Sequence, residues 1–186
     1  SLGYFTKMAG KANYLKGNYD SAAIQFYKAL KILGRKEWQI EKAGVLNELG
    51  KLYRKTKDLD RALQNYDEAY EIYKNNHDEN DMATILNESG VVFEYKKDYE
   101  EAARRYQQSL AIKTKLNDTV GIAYSLNFLG GVATQQRKFA EAEKYLLESL
   151  RLRQLLKDSF AIALNYSDMG AMYSEQNNYT KAIEQL

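Results

Sequence analysis

The sequence predicts an all-α fold, a solenoid of antiparallel helix hairpins, and three observations carry that prediction. The first is a period of forty residues, seen in Gly10, Gly50, Gly90, Gly130 and Gly170 with no insertion or deletion. Two further columns keep phase with it: Ala22, Ala62, Ala102, Ala142 and Ala182, and Tyr19, Leu59, Tyr99, Phe139 and Tyr179. Chance does not hold three columns in register, and a fixed period of this length means stacked supersecondary units. The second is helical spacing of apolar residues within one period, as in Leu46, Leu49, Leu52 and Tyr53, then Leu59, Ala62, Leu63, Tyr66, Ala69, Tyr70 and Tyr73. The third is the absence of proline from 186 residues, which favours long unbroken helices.

Each period divides into two helices at a short polar break: Lys16-Gly17-Asn18, Lys57-Asp58, Lys97-Asp98, Arg137-Lys138 and Asn177-Asn178. Asn and Asp suit a tight turn and a helix cap, and breaks this short force antiparallel hairpins. Between periods, Asn117-Asp118-Thr119 and Lys157-Asp158-Ser159 set an Asp or Ser where the next helix needs a cap. The spacing predicts helices near 41-56, 60-76, 81-96, 99-116, 121-136, 140-156 and 161-176, in repeats 1-40, 41-80, 81-120, 121-160 and a partial repeat 161-186. Further columns supply the packing: small Gly3, Ala43, Ala83, Ala123 and Ala163, large Phe26, Tyr66, Tyr106 and Leu146, and aliphatic Ile32, Ile72, Ile112 and Leu152. A small residue lets a neighbouring helix approach, and the large side chain of the partner helix fills the space beside it.

Composition narrows the function classes. Lys and Arg total 27 against 25 Asp and Glu, so no field of one sign steers nucleic acid or an anionic membrane. Arg104-Arg105-Tyr106 is the nearest approach to a nucleic-acid patch, and the repeat explains Tyr106 as core; no direct nucleic-acid partner is expected. Cysteine is absent, which excludes disulfides and Cys-ligated zinc or iron-sulfur sites. No run approaches eighteen apolar residues, and Ser1-Leu2-Gly3-Tyr4 lacks the layout of a secretion signal, so no membrane contact is expected of this segment. The only histidine, His77, sits in the polar loop Asn75-Asn76-His77-Asp78-Glu79 with no Cys or second His to share chemistry. That loop lacks the ligand pattern and central glycine of an EF-hand. Leu129-Gly130-Gly131-Val132 falls inside a predicted helix and is no phosphate loop. No catalytic residues, metal or cofactor are expected, and the reading is of a protein that is not an enzyme.

These columns resemble the tetratricopeptide repeat (TPR) family: a small residue midway along the first helix, an aromatic a turn later (Tyr53, Phe93, Tyr173), then Ala, a large aromatic and a small residue along the second. The resemblance covers essentially the whole chain and implies a right-handed α-α superhelix. It departs in the forty-residue period, where the familiar unit has thirty-four, and in lacking the proline that usually ends the second helix; second helices are expected to run longer. It is similar to the longer-unit subgroup of peptide-sensing bacterial regulators, sensor-kinase input regions, kinesin light chains and polarity adaptors. The absence of polar capping helices at Ser1 and Leu186 leads to the expectation of a segment excised from a longer protein.

The resemblance implies that first helices line a concave face. Asn47, Asn87 and Asn127, continued by Ser167, form one column there, and an amide ladder can hold the backbone of an extended peptide or, alternatively, fix the orientation of neighbouring helices. Around it lie Lys7, Lys11, Lys51, Arg54 and Lys55 in the first two repeats, then Val91, Tyr95, Tyr124 and an exposed Phe128 beside Gly131. A basic end leading into an aromatic middle suits a peptide with an acidic portion and large apolar anchors, while a solvated lysine face with aromatics packed on one another is the plainer alternative. The carboxylate clamp of some relatives is not expected, because its places hold Lys7 with Lys11, Glu48, then Thr84 and Glu88. The expected function is a non-catalytic peptide- or partner-binding scaffold, the sensor or adaptor part of a larger, bacterial signalling protein. The alternative is an architectural module that self-associates through uncapped ends with an empty groove. The expected compartment is the cytoplasm, or the periplasm if the segment is the input region of a membrane sensor.

Overall fold

The computed structural model of the chain describes residues 2–34 and 36–184. The outermost limits of the expected repeats, at 1 and at 185–186, lie outside the described residues. Ten α-helices and one 3-10 turn, with no strand, make up the regular structure among them. They are α1 (Leu2–Leu15), α2 (Tyr19–Ile32), the 3-10 turn Lys36–Trp38, α3 (Gln39–Lys55), α4 (Leu59–Asn75), α5 (Glu79–Tyr95), α6 (Tyr99–Lys115), α7 (Thr119–Gln135), α8 (Phe139–Leu155), α9 (Ser159–Glu175) and α10 (Tyr179–Glu184). The predicted helices are all present, with starts one or two residues earlier in most cases and ends one residue earlier. None of the helices is long and apolar enough to cross a membrane. The residues fall into two compact units divided after Lys96: the first holds α1 to α5 and the second α6 to α10.

One turn chemistry recurs in both units and explains the period. From α3 to α9 every helix runs 17 residues, and three residues separate each from the next, so two helices and two turns give the forty-residue repeat. First and second helices are therefore equal in length. In each turn the middle residue is left-handed, at Lys57, His77, Lys97, Asn117, Arg137, Lys157 and Asn177, with Gly17 in the first hairpin. Its amide donates to the carbonyl three residues back and the following amide to the carbonyl five back, as in Lys57 to Arg54 (3.2 Å) and Asp58 to Tyr53 (2.9 Å). This satisfies the orphan carbonyls of the helix that ends. The third turn residue then caps the helix that begins: Asp58, Asp78, Asp98, Asp118 and Asp158 each accept from the backbone amide three residues on. His77 is exposed and serves this geometry.

The α2 to α3 junction departs from the pattern. Trp38 stands where later repeats have a capping Asp, and it offers no side-chain cap to α3. α2 ends at Ile32, its cap amide on Leu33 bonded to the Ala29 carbonyl, with Gly34 beyond. Trp38 packs on the core of unit 1 instead.

Packing follows the small and large columns. In unit 1, Phe26 and Tyr66 are fully buried; a Cβ on Gly10 would come within 2.5 Å of the Phe26 ring. A Cβ on Gly50 would strike the Tyr66 ring even more closely. In unit 2, Leu146 takes the large position, and a Cβ on Gly130 would lie 2.6 Å from its Cγ. Ala22, Ala62, Ala102 and Ala142 have no exposed surface, because each is pressed against its partner helix.

Candidate functional site

On the first helices of unit 1, an ion-pair ladder crosses α1, α3 and α5. Lys11 of α1 pairs with Glu48 of α3 at 3.5 Å, and Lys51 lies between Glu48 (3.8 Å) and Glu88 of α5 (3.6 Å). Arg54 donates to Glu88 Oε2 at 2.8 Å, and the buried Tyr66 hydroxyl donates to the same oxygen at 3.5 Å. Burial followed by the Glu88 charge pushes the Tyr66 hydroxyl far up, so it stays a neutral donor. Lys7 stands apart from the ladder. Its ammonium rests over the backbone of Gly44, where a Cβ would come within 2.6 Å of Nζ. Burial lowers its pKa against the opposing field of Glu48. The expected basic end is thus largely neutralised from within: Lys11, Lys51 and Arg54 carry carboxylate partners, and Lys55 is exposed.

Asn47 and Asn87 are half-buried on α3 and α5, and the Asn47 Oδ1 is buried without a hydrogen-bond partner among the described residues. Val91 is half-buried; Tyr95 is exposed with Lys57 Nζ 3.6 Å from its ring centroid.

Unit 2 presents different chemistry at the same register. Asn127 of α7 donates through Nδ2 to Asp168 of α9 at 2.7 Å, while its Oδ1 is buried and unpartnered among the described residues. Tyr124 is exposed beneath the guanidinium of Arg153, 5.3 Å from its centroid. The expectation of an exposed Phe128 is corrected: it is half-buried, stacked on the buried Tyr106 ring at 4.9 Å and 11°. A ring that covers the core from above loses less water, and gains less, on meeting a ligand than a free one. Ser167 is exposed. Gly131 sits one turn beyond Asn127, in the same column as Lys11, Lys51 and Val91, and a Cβ there would meet nothing within 4 Å.

Two buried cations escaped the sequence reading. Lys113 is 6% exposed and bonds the capping Asp118 at 2.8 Å; Arg153 is 3% exposed and donates to the Ala161 carbonyl at 2.7 Å. Burial lowers the Arg153 pKa, but a guanidinium keeps its charge. Leu33, Tyr73, Lys113 and Arg153 occupy one repeat column that changes from apolar to charged, and that change was the available signal. Both cations brace inter-repeat turns. The described residues contain no group of three or more His, Cys, Asp or Glu side chains placed to hold a metal ion.

Comparison with known proteins places this geometry. The tetratricopeptide repeat profile matches residues 41–115 and 121–186. No curated protein sequence matches the chain. Among solved structures, BtubC (BKLC) from P. vanneervenii is 22% identical with a TM-score of 0.83, over 95% of this chain and 74% of that one. The apo form of RapI is 20% identical with a TM-score of 0.87, over 100% of this chain and 68% of that one. A Rap protein complexed with Competence and Sporulation Factor is 18% identical with a TM-score of 0.85, over 98% of this chain and 51% of that one. These identities establish likeness of fold.

Proposed function

The chain belongs to the tetratricopeptide repeat family, and on that premise we propose that it is a non-catalytic scaffold whose first-helix face binds an extended peptide of a partner protein. Residues 1–186 are read as one solenoid segment, the sensor or adaptor part of a larger signalling protein of bacterial origin. The binding residues are Asn47, Asn87 and Asn127 with their neighbours Lys51, Val91, Tyr95, Tyr124 and Phe128.

Gly131 is the observation that carries the proposal. A glycine inside a helix costs about 1 kcal/mol relative to alanine, and none of the described residues needs the space that its missing Cβ leaves. A backbone approaching from outside does need it. The open surface lies one turn from Asn127, whose buried Oδ1 gains a partner if a peptide N–H draws the amide round. The Rap complex with its factor is a similar fold with a bound partner, which supports the same reading.

A random-peptide display library selected against the protein tests it, in parallel with an Asn87→Ala, Asn127→Ala double variant and with Gly131→Leu, all at unchanged helicity. Peptides held by the protein and lost from both variants are expected. No enrichment, or equal retention by the variants, rejects the face. Self-association is then the reading to pursue, favoured by Phe160 and Ile183, 74% and 73% exposed on α9 and α10.

A further inference from the structure

Tyr53 and Tyr173 occupy one position of the repeat, near the end of a first helix, and each buries its ring between the second helices on either side. The Tyr53 hydroxyl bonds that of Tyr27 on α2 at 2.7 Å, and Arg61 of α4 lies over the Tyr53 ring at 4.7 Å and reaches its hydroxyl at 3.4 Å. Tyr173 donates to Glu143 of α8 at 2.6 Å, with Lys181 of α10 at 5.0 Å from its ring centroid. In α7 the same position, forty residues before Tyr173, holds Ala133. Here a cleft of about 220 Å³ opens between α6 and α8, floored by Leu129, Val132 and Ala133. Its walls include Ala103, Gln107 and Glu141, which in register are the counterparts of Glu143, of Tyr27, and of Lys181 with Arg61, the side chains gathered around the two tyrosines.

We infer that this cleft is a second binding site, which takes the phenol ring of a tyrosine presented by a partner polypeptide. Four features select that occupant. The position is built for an aromatic ring, since the chain's own rings fill it in α3 and α9. The volume is ample, because a cavity of about 150 Å³ already accepts benzene. The mouth carries Glu100 and Glu141 against Arg104 and Lys138, two charges of each sign, which complements a neutral ring and offers no net field to a free ion. Gln107 and Glu141 stand where Tyr27 and Arg61 bond the Tyr53 hydroxyl, which favours phenol over a bare ring. Since Ala133 supplies only a methyl group at the tyrosine position, the ring enters from the solvent side, past the exposed Arg104, Gln107 and Glu141. The site shares no residue with the first-helix face, so it stands or falls independently of that proposal.

Methyl-labelled protein titrated with p-cresol, N-acetyl-tyrosine methylamide and zwitterionic tyrosine tests the assignment. Saturable shifts at the Ala103, Leu129, Val132 and Ala133 methyls are expected with cresol and the capped residue. Ala133→Tyr, which supplies the missing ring from within, should weaken both by at least tenfold while Asn127→Ala leaves them unchanged. Ala103→Leu, which copies Leu63 of the second repeat, fills the cleft from the wall and gives the same loss should the tyrosine variant fold poorly. Silence from the four methyls, shifts that survive both filling variants, or a response to zwitterionic tyrosine alone overturns the assignment.

Discussion

Glu88 in unit 1 and Phe128 in unit 2 occupy the same repeat position, and each faces the tyrosine 22 residues before it, yet the two contacts use different physics. Glu88 accepts from the Tyr66 hydroxyl while Lys51 and Arg54 balance its charge. Phe128 lies flat on the Tyr106 ring. The tyrosines themselves are equally buried, at 0% exposure. The buried tyrosine is the same in these two repeats, and the position just above it is free to be ionic or aromatic. That freedom is where the two units acquire different surfaces on the same scaffold.

The largest expected contrast lies at the caps. Asp118→Ala removes a cap and also a charged partner of the buried Lys113 ammonium, a loss on the order of 2 kcal/mol. Asp78→Ala in unit 1 removes a cap alone, because Tyr73 stands in the Lys113 column, and should cost about 1 kcal/mol. Urea unfolding of the two variants measures the difference, and equal losses break the comparison. The Asp118 deficit is also pH-dependent. Burial alone would raise that carboxyl, but the Lys113 ammonium and the Gly121 amide outweigh it, so its pKa in the folded protein is lowered. A lowered carboxyl stabilises fully above its unfolded value, about 3.9, and loses that contribution as pH falls through the folded value. The gap between protein and variant should therefore be constant near neutrality and close only in acid.

Next come the helix glycines. Gly50→Ala drives a methyl into the rigid, buried Tyr66 ring and should cost roughly 1–2 kcal/mol after the gain in helix propensity. Gly130→Ala strikes the fully buried Leu146 at Cγ, a smaller and less rigid group than a ring, and should cost less, about 0.5–1 kcal/mol. Thermal unfolding of the pair ranks them.

Smaller still is the contact that opened the comparison. Glu88→Gln should cost about 0.5–1 kcal/mol at low salt and less at 1 M NaCl, as half-exposed pairs are screened. Phe128→Leu should cost about 1 kcal/mol at either salt concentration, because ring stacking carries no net charge. Equal salt response in the two would collapse the distinction between the units. The last effect is common to both: His77→Gly and Lys157→Gly relieve a left-handed side-chain-bearing residue and should each stabilise by roughly 0.5 kcal/mol.

Much of the fold was legible because packing repeats. The glycine and alanine columns fixed the hairpins, and the Asp residues between helices marked caps that form as expected. The junction before α3 was less legible, since Trp38 takes a capping position and offers no side-chain acceptor. On the candidate face the columns located Asn47, Asn87 and Asn127, but spacing could not show that the Asn127 amide is engaged by Asp168 or that Phe128 is folded down on Tyr106. Ala133 reads in sequence as one small residue among many, and only the space above it gives it meaning.

By itself, the sequence determined the repeat, its hairpins, its Asp caps and the membership of the glycine, alanine and large-residue columns, because those depend on periodicity and on local backbone chemistry that recurs every forty residues. Tertiary structure decided which cations are neutralised, which rings are covered and which cleft stays open. These outcomes depend on pairs of side chains brought together from different helices, and a distance between such side chains is set by packing and not by spacing along the chain.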